Sequence, residues 1–537
     1  MTSTYLTLES VSYVLPTGRT LFSNLNAQFD ERLTGLVGRN GIGKSVLAKI
    51  LAGLLPPSAG CCVRAGSVYY LPQQIVRAEG MTVASLTGQL PVLEAIQRIE
   101  AGSVSALDFD AVGECWDIRT RLQQALQQRG LGHLALDTPV SQISGGEAMR
   151  VALLGAEISR ADYLILDEPS NHLDRLNRTL LIEHIQTWPR GMLVVSHDRE
   201  LLGGVERIVE LSTLGLNSYG GNYDFYVQSR AQQQQSVLER LDQHKREQKR
   251  EEQNMRKQLE RQERRNARGK RTGAVSNQAK ILLGQQKGRS EQSSGRLQLQ
   301  QAALRELRSQ EISDIRQQVD EDSVVVMRAT SQVRNHTNRQ IARVTGQLPY
   351  VSADARYVDL TLTLQHRVGV VGPNGCGKTT LLKVLVGQRQ LVSGYSDVRV
   401  VSAYLDQMVS TLEPHESVLQ QLRSANRATP ESELRTRLAQ LGLDAQKISV
   451  PSHQLSGGER IKAALACALY VETPAELLLL DEPSNHLDLP SVHALEEMLC
   501  SYQGAMQVVS HDDAFMQRLR LSHRLSVADG GWEMEQW

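Results

Sequence analysis

Two Asp-Glu pairs close short apolar runs in this sequence: "LILDE" ends at Glu168 and "LLLLDE" at Glu482. Such runs read as buried strands. One acid at a strand end can help hold a hard cation, and the next can orient or deprotonate a water. The electrophile for that water is indicated by "GRNGIGKS" (38–45) and "GPNGCGKT" (372–379). Both fit G-x-x-x-x-G-K-[ST] between a strand and a helix, the pattern that cradles polyphosphate. Glycines let the backbone aim its N–H groups inward, and the helix N-terminus adds partial positive charge. Gly38, Asn40, Gly41 and Gly43 form the first cradle; Gly372, Asn374, Gly375 and Gly377 form the second. Lys44 and Lys378 are placed to reach the β/γ-phosphates. Ser45 and Thr379, the latter followed by Thr380, are placed to ligate Mg²⁺, with Asp167 and Asp481 in its outer shell. His197 and His511, each in "VVSHD", are candidates to sense the γ-phosphate. Gln73 in "YLPQ" and Gln407 in "YLDQ" are candidates to reach Mg²⁺ and the water.

These motifs recur in the same order, together with "SGGE" (144–147 and 456–459) and the nonapeptide "LDEPSNHLD" (166–174 and 480–488), so a whole domain is duplicated. Lys44 to Lys378 and Gln73 to Gln407 are each 334 positions, whereas Ser144 to Ser456 is 312. The first copy therefore holds 22 extra residues, expected at about 85–112. They either make a contact or form a neutral surface loop. Strand, Gly-rich loop and helix in series predict an α/β fold with a mostly parallel core sheet. The helices after the loops should stop at the glycines closing "KSVLAKILAG" and "KTTLLKVLVG".

The 537 residues are 41% hydrophobic and 22% charged, with no apolar stretch of the roughly 20 residues that cross a bilayer. The start lacks a basic and apolar leader, and six scattered cysteines without C-x-x-C spacing fit a reducing, cytoplasmic setting. Net charge is zero, with 59 basic and 59 acidic residues. That sum hides the stretch 229–310, with 20 Lys and Arg against 9 Asp and Glu, a net of +11. A Gln-, Glu- and Arg-rich run to Arg268 predicts a long helix. Gly269 to Gly295 reads as a flexible basic tip, and a return helix starts at Arg296. Aromatics are nearly absent, so stacking on single-stranded bases is disfavoured. Contact with the backbone of folded RNA fits better.

The paired motifs resemble the ATP-binding cassette (ABC) family, which implies ATP with Mg²⁺ and hydrolysis to ADP and phosphate. The resemblance implies two composite sites: Lys44 with Ser456, Gly457 and Gly458, and Lys378 with Ser144, Gly145 and Gly146. Tyr13 and Tyr350 are candidates to stack on adenine, ordinary strand packing being the alternative for each. Cys376, inside the second loop, is either a reactive thiol or a tolerated small residue.

"DEPSNHLD" in both copies, "YGGNYDFY" (219–226) leading out of the first cassette and the basic helical linker narrow the resemblance to the ABC-F subfamily. This implies tandem cassettes at 1–228 and 336–537 joined by a helical-hairpin linker at 229–335, with a short arm in the insertion. It also implies a monomer whose cassettes pair intramolecularly, without a transporter subunit. The partner would be the ribosome, with rRNA and tRNA near the exit site and peptidyl-transferase centre met by the linker. Antibiotic resistance and relief of stalled ribosomes are both open. A DNA-acting ATPase for repair or branched DNA is the alternative, and a transporter half a third. The absence of a basic extension after "GGWEMEQW" predicts no further nucleic-acid domain.

Overall fold

The computed structural model describes residues 6–73, 80–171, 173–275, 339–351, 356–406, 409–485, 487–528 and 531–537. Gln407, most of the expected linker tip and the return helix from Arg296 lie outside these residues.

Each copy builds a parallel sheet around the strand that feeds its Gly-rich loop. In the first, Val68–Leu71, Tyr163–Asp167, Gly191–Val195, Leu33–Gly38 and Arg207–Ser212 lie side by side and parallel, and Gly215–Tyr219 closes the edge antiparallel. The second repeats that order with Ser402–Leu405, Leu477–Asp481, Ala505–Val509, Arg367–Val371, His523–Ala528 and Gly531–Gln536. Strands bearing the Gln, the Asp-Glu pair, the His and the Gly-rich loop are therefore immediate neighbours. Their C-terminal ends converge where ligands of open α/β sheets bind. Tyr163–Asp167 and Leu477–Asp481 are buried along their whole length. Burial on both sheet faces is why they read as continuous apolar runs rather than alternating ones.

The helices after the loops end as expected. Lys44–Ala52 stops at Gly53, which takes the left-handed conformation at φ 79°, and Lys378–Leu385 stops just ahead of Gly387, also at φ 79°. In the extra segment of the first copy stand two helices, Leu90–Glu100 and Ala106–Val112. The first buries Leu93, Ala95 and Ile96, and Arg98 holds Asp108 of the second at 2.9 Å.

The linker begins within the helix Tyr223–Val275, 53 residues long. From Tyr226 onward this helix belongs to a unit separate from that formed by the cassettes. It continues through Gly269 and Gly273, past the point where the flexible tip was expected to start. One interior glycine costs about 1 kcal/mol, too little to stop a helix already propagating through good helix formers. Arg240, Lys245, Arg246, Lys249 and Arg250 are exposed along it. Among the described residues, no helix is long and apolar enough to cross a membrane.

Candidate functional site

The two Gly-rich loops wrap their own lysines. Lys44 Nζ donates to the carbonyls of Gly38 at 2.8 Å and Arg39 at 3.0 Å, and Lys378 Nζ to those of Gly372 at 2.8 Å and Pro373 at 3.0 Å. Gly43 (φ 108°) and Gly377 (φ 100°) cap the following helices in the left-handed region. A Cβ there would come within 3.0 Å of Phe22 and 2.8 Å of Val351, so both conformation and space select glycine. Burial lowers the pKa of Lys44, and the nearby Glu168 opposes that shift.

Asp167 lies at the end of its strand with one carboxylate oxygen 3.2 Å from Ser45 Oγ and the other accepting from Tyr70 Oη at 3.0 Å. In the second copy Tyr404 Oη donates to Asp481 at 3.0 Å. Burial raises the Asp167 pKa, while Ser45 and Tyr70 work against the rise. A hydroxyl and a carboxylate this close are hard oxygen donors of the kind a small divalent cation takes, with water and phosphate oxygens completing its shell. Among the described residues no group of three or more His, Cys, Asp or Glu could hold a metal unaided. Both tyrosines open the repeated Y-L-x-Q that supplies the glutamines, but spacing alone does not pair a strand tyrosine with its aspartate.

Glu168 and Glu482 sit one residue further on, in left-handed backbone at φ 49° and 51°. Each donates its N–H to the adjacent strand, to Val195 O at 2.8 Å and Val509 O at 2.9 Å. Strain of this sort in a non-glycine residue is stored at functional positions. Burial pushes the Glu168 carboxyl up to about 8 and that of Glu482 to about 7. His197 Nε2 is 3.5 Å from Glu168 and His511 Nε2 is 3.4 Å from Glu482. Burial lowers these imidazoles to about 3 and about 4 respectively, so both are neutral at pH 7. His511 Nε2 also approaches Asn374 Oδ1 at 3.2 Å, and its backbone N–H donates to Glu482 Oε2 at 3.3 Å.

The nonapeptide reaches across the duplication. Asp488, its last residue in the second copy, accepts the backbone N–H of Asn40 in the first Gly-rich loop at 2.9 Å. Reciprocally, Asp174 accepts a backbone hydrogen bond from Asn374 of the second loop. The same carboxylates cap their own helices, Asp174 at Asn177 and Asp488 at Ser491, both 3.0 Å. A cavity of about 550 Å³ is lined from the first copy by Asn40, Gly41, Gly43, Lys44, Ser45, Gln73, Glu168 and His197. From the second copy Ser484, Asn485, Leu487 and His511 join it.

Other expected residues are not in that cavity. Ser144 and Gly145, like Ser456 and Gly457, are exposed at the N-termini of helices Gly145–Ser159 and Gly457–Leu469, and Gly146 and Gly458 are buried. "SGGE" is thus a capping box: Ser144 N–H donates to Glu147 at 2.8 Å and Ser456 N–H to Glu459 at 2.9 Å. Tyr13 packs its ring 6.3 Å from that of Phe22, and Leu15 and Leu21 line the cavity instead. Tyr350 is 90% exposed with the Arg389 guanidinium 5.9 Å over its ring. Thr379 is exposed and Thr380 half-buried at the second helix start. Cys376 is buried and its thiol pKa is raised by desolvation, which outweighs the opposing effect of Lys378. Of the two readings of this residue, the structure favours the tolerated small one.

The chain is similar to known proteins along both copies. The ABC transporter family model matches residues 23–171 and again 355–485. Energy-dependent translational throttle protein EttA of Mycobacterium tuberculosis (strain ATCC 25618 / H37Rv) is 31% identical over 519 residues, covering 90% of this chain and 84% of its own. Ribosome protection protein VmlR of Bacillus subtilis (strain 168) is 26% identical over 536 residues, covering 99% and 88%. A crystal structure of the archaeal ribosomal stalk protein aP1 with archaeal ribosome recycling factor aABCE1 covers 98% of this chain and 89% of its own. Its TM-score of 0.55 at 18% identity is a likeness of fold.

Proposed function

Because the chain belongs to the ABC-F family of tandem ATP-binding cassette proteins, we propose that it is an ATP-gated translation factor that binds the ribosome at the tRNA exit site. The observation that carries this reading is the reciprocal crossing of Asp488 to the Asn40 loop and Asp174 to the Asn374 loop. Neither phosphate cradle is independent of the other cassette, so ATP at one is felt by both. The exposed signature ends, Ser144 and Ser456, are the surfaces that ATP draws onto the opposite cradle when the cassettes close.

Within each site the lysine neutralises phosphate charge, and the loop N–H groups orient the γ-phosphate for in-line attack. Glu168 and Glu482, raised toward neutral pH, take a proton from the attacking water. A base works best with a pKa near the working pH. The neutral His197 and His511 hold that water and the γ-phosphate. Mg²⁺, when bound, supplies the positive charge that offsets developing charge on the phosphate oxygens. Ser45 and Asp167 would hold it in the first site, and Thr379 and Asp481 in the second, with Gln73 and Gln407 nearby. Tyr13 and Tyr350 remain the proposed adenine contacts.

Ribosome binding is supported by the two relatives, whose names state a translational throttle and ribosome protection. The exposed basic face of the helix Tyr223–Val275 suits a phosphate backbone. The test is co-sedimentation of the Glu168→Gln, Glu482→Gln double variant with ribosomes in the presence of ATP. Retention is expected with ATP and release without it. Failure to co-sediment, or preference for branched DNA over ribosomes, would overturn the assignment.

A further inference from the structure

The contacts between the cassettes are not symmetric. Arg178, four residues beyond the end of the first nonapeptide, is 6% exposed. Its guanidinium grips Asp198 through two hydrogen bonds, Nε at 2.6 Å and Nη2 at 2.5 Å. Its remaining terminal nitrogen, Nη1, crosses to the other cassette and donates to the backbone carbonyl of His511 at 2.5 Å. One planar group thereby ties the residue after the first switch histidine to the backbone of the second. The equivalent position in the second copy, 314 residues on, is Val492, which has no donor to offer His197. The histidines differ accordingly. Both donate their backbone N–H to the glutamate of their own site, His197 to Glu168 and His511 to Glu482, but among the described residues only His511 is also held through its carbonyl by Arg178 and through its ring by Asn374. Both ring nitrogens of His197 are buried without a hydrogen-bond partner.

Among the described residues, two other ion pairs flank this seam, with the same polarity. Arg199 meets Glu496 at 2.6 Å with both side chains buried, and Arg175 meets Asp513 at 2.9 Å. Each time the cation comes from the first cassette and the anion from the second. The swapped positions, Ile182 against Asp513 and Leu489 against Arg199, could form neither pair.

We infer that Arg178 is a positioning residue acting in trans: it sets the switch loop of the second ATP site from the first cassette, and among the described residues the first site has no such device. This rests on the reading that both sites hydrolyse ATP. It makes them unequal, with hydrolysis at Lys378 dependent on the seam and hydrolysis at Lys44 not dependent on position 492.

The test measures the first turnover of ATP in two single-site backgrounds, so that trapping of closed cassettes does not interfere. In Glu168→Gln the fast phase reports the second site; in Glu482→Gln it reports the first. Adding Arg178→Val should slow the fast phase about tenfold in the first background, with half-saturating ATP unchanged, and markedly less in the second, although Arg178 and Asp198 also line the cavity beside Lys44. A tenfold change in rate corresponds to about 1.4 kcal/mol. Because Val removes a buried cation, Arg178→Lys is run beside it. Lysine keeps charge toward Asp198 but lacks the planar donor set that serves both partners at once, so it should show the same selective loss with an unchanged melting temperature. Equal slowing in both backgrounds, or slowing in neither, overturns the inference while the ATPase reading stands. Absence of any turnover in the unsubstituted chain overturns the ATPase reading and this inference together.

Discussion

Asp488 and Asn40 are 448 residues apart in the chain, yet the carboxylate of one accepts the backbone N–H of the other at 2.9 Å. Burial opposes the Asp488 charge, but hydrogen bonds from Ser491 and Asn40 hold its pKa below the ordinary carboxylate value. A carboxylate depressed in the folded state stabilises above its unfolded pKa of about 3.9, and the stabilisation fades as pH falls through the lower folded value.

Asp488→Ala should therefore lose both a helix cap, worth about 1 kcal/mol, and the bond to the first phosphate loop. A melting temperature lower by a few degrees at pH 7 is expected. The gap to the parent should narrow as pH drops below about 4. ATP turnover should fall further than stability does, and thermal melts alongside turnover assays separate the two effects.

The buried Glu168 has the opposite sign. With its carboxyl raised to about 8, the folded chain keeps a proton that the unfolded chain releases above its ordinary value of 4.5. Its ionisation thus costs stability progressively from about pH 4.5 up to about 8. Glu168→Gln should be neutral or slightly stabilising near pH 8, and only Glu168→Gln combined with Glu482→Gln should abolish the gain in hydrolysis that the parent makes between pH 6 and 8. A pH-rate profile for the parent that is flat over that range would contradict the assignment of Glu168 and Glu482 as proton acceptors.

Tyr70 and Tyr404 fix the strand-end aspartates through 3.0 Å hydrogen bonds. Removal of the hydroxyl by Tyr70→Phe frees one oxygen of Asp167 to turn away from Ser45. Such outer contacts typically tune metal affinity by about 10- to 100-fold. The half-saturating Mg²⁺ for ATP turnover should rise at least several-fold while the fold is unchanged, as a Mg²⁺ titration beside a circular-dichroism melt would read.

Replacing Lys245, Arg246, Lys249 and Arg250 with Glu targets the exposed basic face of the linker helix. Each lost phosphate contact should reduce the slope of log affinity against log salt by about 1. Ribosome binding should weaken and become less salt-dependent, with ATP turnover in the absence of ribosomes unaltered. Unchanged sedimentation at two salt concentrations would exclude this face as the contact.

Thiol reagents should modify the exposed Cys500 well before Cys376, whose thiol is buried and raised in pKa. Cys376→Ala is expected to retain ATP turnover, and mass spectrometry after brief alkylation checks the order of labelling.

Much of each site was legible in the sequence because its parts are local. A phosphate cradle needs five or six consecutive backbone N–H groups with glycines at set positions, and a strand buried on both faces must be written as an unbroken apolar run. Lys44, Asp167 and Glu168 could therefore be placed from spacing alone, and the recurrence of the same motifs in the same order placed Lys378, Asp481 and Glu482. Tyr70 and Tyr404 were present in the pattern, but a strand tyrosine packs in too many ways for its partner to be read from neighbours in sequence. "SGGE" was legible as a repeated motif, and its glutamate as a cap only once the helix start was seen.

The sequence by itself determined two cassettes, the candidate residues of their sites and a basic segment between them, since each rests on short-range covalent spacing. The tertiary structure alone decided what joins the copies: Asp488 on the Asn40 loop, Asp174 on the Asn374 loop and Arg178 on the carbonyl of His511. Those contacts link residues hundreds of positions apart. Motifs shared in the same order make the halves look interchangeable until packing sets Arg178 in one and Val492 in the other against different neighbours.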